Sequence, residues 1–214
     1  MKFCAILLAA GRSSRMGGVK ALLPLPLLPD GGACSALEAL ARLYRAAALP
    51  DMLVVSGFHA EAVEDAARAL SLAVARNPHP ERGMFSSVRT GLRAAPPDCD
   101  ALFIHPADIP LVRPQTLRLL ADAALEASRS PGAPSAVLIP RHNGEEGHPP
   151  LLPAVFKKNV LSCTGKDGLR AALAALPRRL VDTADPCVLE DMDGPQDYAR
   201  LQRLALRRMA ERRA

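Results

Sequence analysis

Aromatic side chains are scarce: tryptophan is absent, and five phenylalanines and two tyrosines make up 3% of the 214 residues. Proteins that read single-stranded nucleic acid stack bases on aromatic rings, so a platform of that kind is excluded. Paired cysteines are lacking as well. Cys4, Cys34, Cys99, Cys163 and Cys187 are odd in number, widely scattered and never spaced C-x-x-C. Neither a zinc site nor a disulfide framework is indicated, and the thiols read as reduced and structural. No uncharged apolar run reaches the roughly 20 residues that a membrane span needs. Residues 3–10 are apolar and follow Lys2, but Arg12 and Arg15 stand where a signal-peptide cleavage site belongs. They read as a first buried strand of a cytoplasmic protein.

What is present is an ordinary globular balance of 49% hydrophobic and 23% charged residues, ample to bury a core. The net charge of +5 owes much to the last fifteen residues, which carry six arginines against Glu211. Leu201, Leu204, Ala205 and Met209 recur there at helical spacing, so the segment reads as an amphipathic closing helix with a solvated basic face. Neither a nucleic-acid nor a membrane partner is expected.

Short apolar segments alternate with longer Ala/Leu-rich segments of helical period. Strands are expected over 3–8, 52–56, 71–75, 101–105 and 136–139, and helices over 34–48, 60–70, 86–94 and 114–128. This order predicts an α/β fold, a Rossmann-like, mostly parallel sheet with helices on both faces. After Ile139 the regularity weakens. Residues 140–150 read as a loop or hairpin, 154–161 and 167–176 as helices, 179–181 as a short strand and 196 onward as the last helix. No internal repeat or flexible linker divides the chain, so one domain over 1–214 is expected, its ligands at the carboxyl ends of the strands.

The first strand-to-helix connection, Leu8-Ala9-Ala10-Gly11-Arg12-Ser13-Ser14-Arg15-Met16-Gly17-Gly18-Val19-Lys20, is rich in small residues and cations. Small residues bring backbone N–H groups close to phosphate oxygens, and Arg12, Arg15 and Lys20 supply countercharge. It is not a Walker A loop, because Ala21 follows Lys20; nor is it G-x-G-x-x-G, because Ser13 takes the second glycine position. Asp108 lies just past the apolar run 101–105, where its carboxylate meets the crevice. A hard oxygen ligand there suits Mg²⁺, which takes one or two carboxylates together with substrate phosphates; the plain alternative is a turn-forming aspartate. His105, ending the strand, reads as packing.

The spacing L-A-A-G-x-x-x-R-M-G followed by K-x-L-L-P-L resembles the MobA/MocA-like nucleotidyltransferases, and within them the branch of molybdenum cofactor cytidylyltransferases. Four further segments extend the resemblance over nearly the whole chain. Asn77 with Gly83-Met84-Phe85-Ser86-Ser87-Val88-Arg89-Thr90-Gly91-Leu92 is similar to the family's N…GM-x-x-S-[LV]-x-x-G-L. Pro106-Ala107-Asp108-Ile109-Pro110-Leu111-Val112 resembles its D-x-P-L-V strand end, and Gly147-His148-Pro149 its G-H-P turn. Asp191-Met192-Asp193-Gly194-Pro195-Gln196-Asp197-Tyr198 resembles D-x-D-T-P-E-D-Y, with Gly194 in place of Thr and Gln196 in place of Glu.

The resemblance implies the nucleotide-diphospho-sugar transferase type of fold and nucleotidyl transfer from CTP to the phosphate of molybdopterin. It places Leu8, Ala9, Ala10, Gly11, Arg12, Arg15, Lys20, Asn77, Ser87 and Asp108 around the nucleotide, with Ser87 against the pyrimidine. Arg15, Lys20 and Asp108 would be catalytic, and Asp108 with Asp193 would hold Mg²⁺. Gly147, His148 and Pro149 would face the acceptor, His148 as pocket wall rather than base. Ser86-Ser87 equally suits a helix cap, and Asp193 a helix start where acids favour the dipole. Partners are then small-molecule substrates and a client molybdoenzyme. The competing readings are a guanylyltransferase of the same fold, whose loop typically reads L-A-G-G; a cytidylyltransferase for a sugar or polyol phosphate; and a non-catalytic chaperone for the cofactor.

Overall fold

The computed structural model describes residues 1–27, 32–129, 132, 134–166 and 168–211, with side chains to 210. Among the described residues there are ten strands and seven α-helices. They are β1 (Phe3–Leu8), β2 (Pro24–Leu25), β3 (Cys34–Ser35), α1 (Ala36–Ala46), β4 (Met52–Ser56), α2 (Ala60–Ala69), β5 (Ala73–Arg76), α3 (Met84–Ala94), β6 (Ala101–Pro106) and α4 (Pro114–Arg129). After them come β7 (Val137–His142), β8 (Glu145–Glu146), β9 (Leu151–Pro153), α5 (Lys157–Ser162), α6 (Gly168–Ala174), β10 (Arg178–Asp182) and α7 (Pro195–Glu211).

The main sheet runs β10-β7-β9-β6-β1-β4-β5, with β8 paired to β7. Pairs β1–β4, β1–β6, β4–β5 and β7–β10 are parallel, whereas β9 runs antiparallel to both β6 and β7. This is the expected mostly parallel sheet. All six residues of β1 are buried, as a strand covered on both faces requires. Its side chains alternate: Phe3, Ala5 and Leu7 join Tyr44, Phe103 and Leu117 on one face, while Cys4, Ile6 and Leu8 join Val88, Leu92 and Val160 on the other. Gly91 of α3 lets that helix close on β1, since an added Cβ would stand 2.3 Å from Ile6 Cγ2. A third cluster, with Leu25, Met192, Leu201 and Ala205, seats α7 beside the β2–β3 ladder.

Strands β1 and β4 have the expected limits. Helix α1 starts later than expected, at Ala36, because Ser35 caps it by accepting from Glu38 N at 3.1 Å. Cys34 and Ser35 pair instead with Leu25 and Pro24, and the centre of that proline-rich stretch, 28–31, lies outside the described residues. Strand β5 begins at Ala73 rather than 71, because Ser71 sits at φ +56 just past α2. No strand is expected from the sequence over Leu151–Pro153. Three residues hemmed by Pro149, Pro150 and Pro153 carry little strand signal, yet β9 joins the two parallel parts of the sheet. Residues 154–161 form a 3-10 turn followed by α5. Among the described residues no helix is long and apolar enough to cross a membrane.

Candidate active site

The parallel pairings of β1 with β4 and β6 bring three strand ends together, with Leu8 level with Val55 and Pro106. Backbone bonds tie the departing loops side by side. Ala9 N donates to Val55 O at 2.9 Å, Phe58 N to Ala10 O at 3.3 Å, and Ala107 N to Leu8 O at 3.0 Å. Gly57 permits the close approach, because a Cβ there would meet the Ala10 methyl at 2.6 Å.

Between the strand ends lies a cavity of about 310 Å³ lined by Leu8, Ala10, Gly11, Arg12, Phe58, Pro80, Gly83, Met84, Ser87, Pro106 and Asp108. Six of the ten residues expected around the nucleotide thus share one cavity. The Arg12 guanidinium lies over the Phe58 ring, 4.7 Å from its centroid. Asn77, fully buried, supports the wall from behind: its Nδ2 donates to Ser86 Oγ at 2.7 Å and Ser87 Oγ at 3.0 Å, and its Oδ1 accepts from His79 N at 3.0 Å. Gly83, at φ +84, occupies the N-cap of α3, so the two serines lie inside the helix and do not cap it. Ala9 is buried in the core beneath the loop, and Arg15 is exposed.

Loop 11–20 returns through Ser13, at φ +55, whose Oγ accepts from Lys20 N at 2.9 Å. This anchor turns the Lys20 side chain inward. Its Nζ lies 2.9 Å from Asp193 Oδ1 and 3.5 Å from Asp108 Oδ2. Two carboxylates, 85 residues apart in sequence, therefore converge on one cation. Burial pushes the Asp108 carboxyl above its ordinary value; the Lys20 charge works against that shift, while Asp193 and Asp191 reinforce it. Among the described residues no three His, Cys, Asp or Glu side chains gather as a full metal cage. Two partly exposed carboxylates on one cation position nonetheless fit a hard dication completed by phosphate oxygens.

A hydrogen-bonded chain beneath Asp108 fixes its turn. His105 Nε2 donates to Ile109 O at 2.9 Å, which leaves Nδ1 to accept from Tyr44 OH at 3.0 Å. Burial lowers the His105 pKa to about 3 and keeps the ring neutral. His105 is packing, as expected, and also a strut for the turn that carries Asp108.

Gly147 and His148 line a second cavity, of about 170 Å³, with Met84, Ile139, Glu146, Pro150, Leu169, Arg170, Leu173 and Arg178. Met84 belongs to both cavities. Gly147 lies against Val188, where a Cβ would fall 2.6 Å from the Val188 carbonyl oxygen. His148 Nδ1 is buried and has no hydrogen-bond partner among the described residues, and burial lowers the ring's pKa. Pro149 is buried and does not line this cavity. Phe58 and Asp185 were not singled out in the sequence. Asp185, 2% exposed, accepts from Arg113 N, Thr116 Oγ1, Cys187 N and Arg208, tying α4 and α7 together below the acidic segment 191–193.

Comparison with known proteins agrees with this fold. The MobA-like NTP transferase domain matches residues 5–181. The molybdenum cofactor cytidylyltransferase of Escherichia coli K12 is 26% identical over 196 residues, covering 90% of this chain and 92% of its own. A nucleotidyl transferase from Methanothermobacter superposes with a TM-score of 0.79 at 26% identity, over 96% of this chain and 98% of that one. The Mycobacterium tuberculosis protein Rv0371c superposes with a TM-score of 0.75 at 25% identity, over 95% and 99%.

Proposed function

Because the chain belongs to the MobA-like NTP transferase family and is a nucleotidyltransferase, we propose that it joins CMP from CTP to the terminal phosphate of molybdopterin and releases pyrophosphate. The observation that carries this reading is the convergence of Lys20, Asp108 and Asp193 beside the cavity lined by Leu8, Ala10, Gly11 and Ser87.

In the reaction, a phosphate oxygen of the acceptor forms a bond to the α-phosphorus, and the bond from that phosphorus to the β-phosphate bridging oxygen breaks. The attacking oxygen is already ionised near neutral pH, so no side chain need take a proton. The protein's part is positioning and charge stabilisation. Ser87, held by Asn77, faces the base; the Gly11 backbone and Arg12 meet the triphosphate. Lys20, with Arg15 on the same loop, takes the charge that develops on the leaving pyrophosphate. For this Lys20 leaves its two carboxylates, which are then free for Mg²⁺. Bound there, Mg²⁺ would act as a Lewis acid on the phosphate oxygens.

Three observations support the finer reading. Ala10 fills the position where guanylyltransferases typically carry glycine. The curated relative is a cytidylyltransferase of the molybdenum cofactor. Met84 lines both the Gly147–His148 cavity and the nucleotide cavity, which supports an acceptor held in the first beside a nucleotide in the second. The test is a panel of CTP, GTP, ATP and UTP with molybdenum-loaded molybdopterin and Mg²⁺, read by pyrophosphate release. CTP should be used at least tenfold better than the others. Preferred use of GTP points to the guanylyltransferase, turnover only with a sugar or polyol phosphate to the third branch, and cofactor binding without pyrophosphate to a chaperone.

A further inference from the structure

Several arginines on this surface are answered by acids: Arg42 by Glu38, Arg76 by Glu64, Arg141 by Asp182 and Arg200 by Glu190. Two on helix α3 differ from these in sharing one hollow. Arg89 and Arg93 stand one turn apart on its outer face, and like charges at this spacing destabilise a helix. Among the described residues neither has an ion-pair partner. The Arg89 Nε is shut off from solvent and makes no hydrogen bond. A shielded guanidinium N–H without an acceptor is costly to fold around.

Both arginines line a hollow of about 330 Å³ outside the nucleotide cavity. Arg82 lines it too, and among the described residues no carboxylate does; Glu81 pairs with His79 and lies 4.0 Å from Arg82. Its far wall is the loop at Thr164 and Gly165. Gly165 takes φ +79 against the Phe85 ring, where a Cβ would stand 2.1 Å from Cδ1, so the wall is held at a close approach only glycine allows. Its near wall is Asn77 with Ser86; Asn77 Nδ2 donates to Ser86 Oγ and also to Ser87 Oγ in the wall of the nucleotide cavity.

We propose that this hollow is a second anion site, separate from the nucleotide cleft, that binds a compact phosphate group through Arg89, Arg93 and Arg82. Guanidinium forks match phosphate oxygens in pairs and hold them with charge-assisted hydrogen bonds, and a dianion there also relieves the repulsion between the arginines. Inorganic pyrophosphate and the phosphate of a monoester both have this chemistry.

The probes are inorganic pyrophosphate and glycerol 3-phosphate, each titrated into the full-length Lys20→Ala protein without divalent metal. Lys20→Ala weakens phosphate binding in the cleft, where Arg12 and Arg15 remain, and the position of the shifts separates the two sites. Backbone amide shifts in a two-dimensional NMR spectrum report where the anion sits. Amides of Thr90, Arg93, Thr164 and Gly165 should move and saturate with one or both probes, and the tighter probe identifies the source. Adding Arg89→Gln with Arg93→Gln should weaken that binding at least tenfold, and Arg89→Gln alone should weaken it less. Shifts confined to 11–20, no saturation by about 10 mM, or equal affinity in the single and double glutamine variants would each overturn the proposal. The single variant keeps the test valid should the double variant not fold.

Discussion

Asp108 and Asp185 are both shielded carboxylates beside cations, and they are built for opposite purposes. Asp185 is 2% exposed and receives hydrogen bonds from two backbone N–H groups, a threonine hydroxyl and Arg208. Asp108 keeps 29% of its side chain exposed, and its cation, Lys20, stands off at 3.5 Å. A carboxylate whose lone pairs are all used is a structural node. One left short of donors, with burial raising its pKa, has coordination to offer a ligand. Loss of the first should damage the fold, and loss of the second the reaction.

The largest separation is expected at Asp108. Asp108→Asn should lower turnover by roughly a hundred- to a thousandfold, since a neutral amide is a poor ligand for a hard dication. Its thermal midpoint should hold steady or rise, because burial already disfavours the charge. Lys20→Ala should cost about a hundredfold in turnover with little loss of stability. Asp193→Asn, at a position 54% exposed, should be milder. Steady-state rates across a Mg²⁺ titration, set beside thermal melts, check all three. A melt lowered by Asp108→Asn as much as by an Asp185 variant would erase the contrast.

Asp185→Asn is the mirror experiment. The amide turns one acceptor into a donor facing N–H groups and Arg208, and leaves a half-buried cation poorly paired. Breaking such a centre costs about 3 kcal/mol or more, which for a chain of this size lowers the melting midpoint by roughly 6–12 °C. Activity per folded molecule at 20 °C should stay within a few-fold. A loss of kcat larger than the loss of folded protein would make Asp185 part of the chemistry.

How much of this was legible beforehand differs between the two carboxylates for a physical reason. Asp108 follows an apolar strand inside a motif with defined spacing, so its place at a strand end could be read directly. Asp185 lies in Thr183-Ala184-Asp185-Pro186, which reads as a turn. Its burial is created by α4 and α7, contributed from 69 residues before it and 23 after, and no local pattern encodes that. The same holds for β9, whose prolines hide a strand that only tertiary pairing reveals, and for Phe58, placed by β4 rather than by its neighbours. Period and capping chemistry set β1, β4 and the helices, whereas partners distant in sequence decide which polar groups are buried.

Acid should act mainly on the strut beneath Asp108. The folded state keeps His105 neutral down to about pH 3, while an unfolded chain protonates it near 6.5. Between those values the unfolded state binds the extra proton, so this contribution is complete above pH 6.5 and drains as pH falls toward 3. The loss should amount to a few kcal/mol by about pH 4. His105→Gln should be less stable at pH 7 and show a flatter acid limb in denaturant titrations. An unchanged limb would place the acid sensitivity elsewhere, His148 being the other histidine whose pKa burial lowers.

The smallest expected effect is on base choice at Ala10, which touches both the packing and the chemistry of the β1 loop. Its methyl lines the nucleotide cavity, yet it is also wedged against Gly57, where an added Cβ would stand 2.6 Å away. The residue is 6% exposed, so most of the methyl is spent on packing two strand ends together. Removing it widens the slot by a fraction of a methyl's volume, far less than the fused ring that separates a purine from a pyrimidine. Size exclusion by one carbon is worth about 1–3 kcal/mol when the whole group faces the ligand; here only part of it does. Ala10→Gly should therefore raise the GTP-to-CTP ratio of kcat/KM by less than about tenfold. Guanine's polar edge would still find Ser87, held by Asn77, arranged as before. The glycine also frees the loop backbone, so kcat/KM for CTP should fall modestly as ordering becomes more costly. Taking the ratio cancels that general loss. A rise of a hundredfold would mean that the methyl itself selects the base, whereas an unchanged ratio would assign selection to the Ser87 wall.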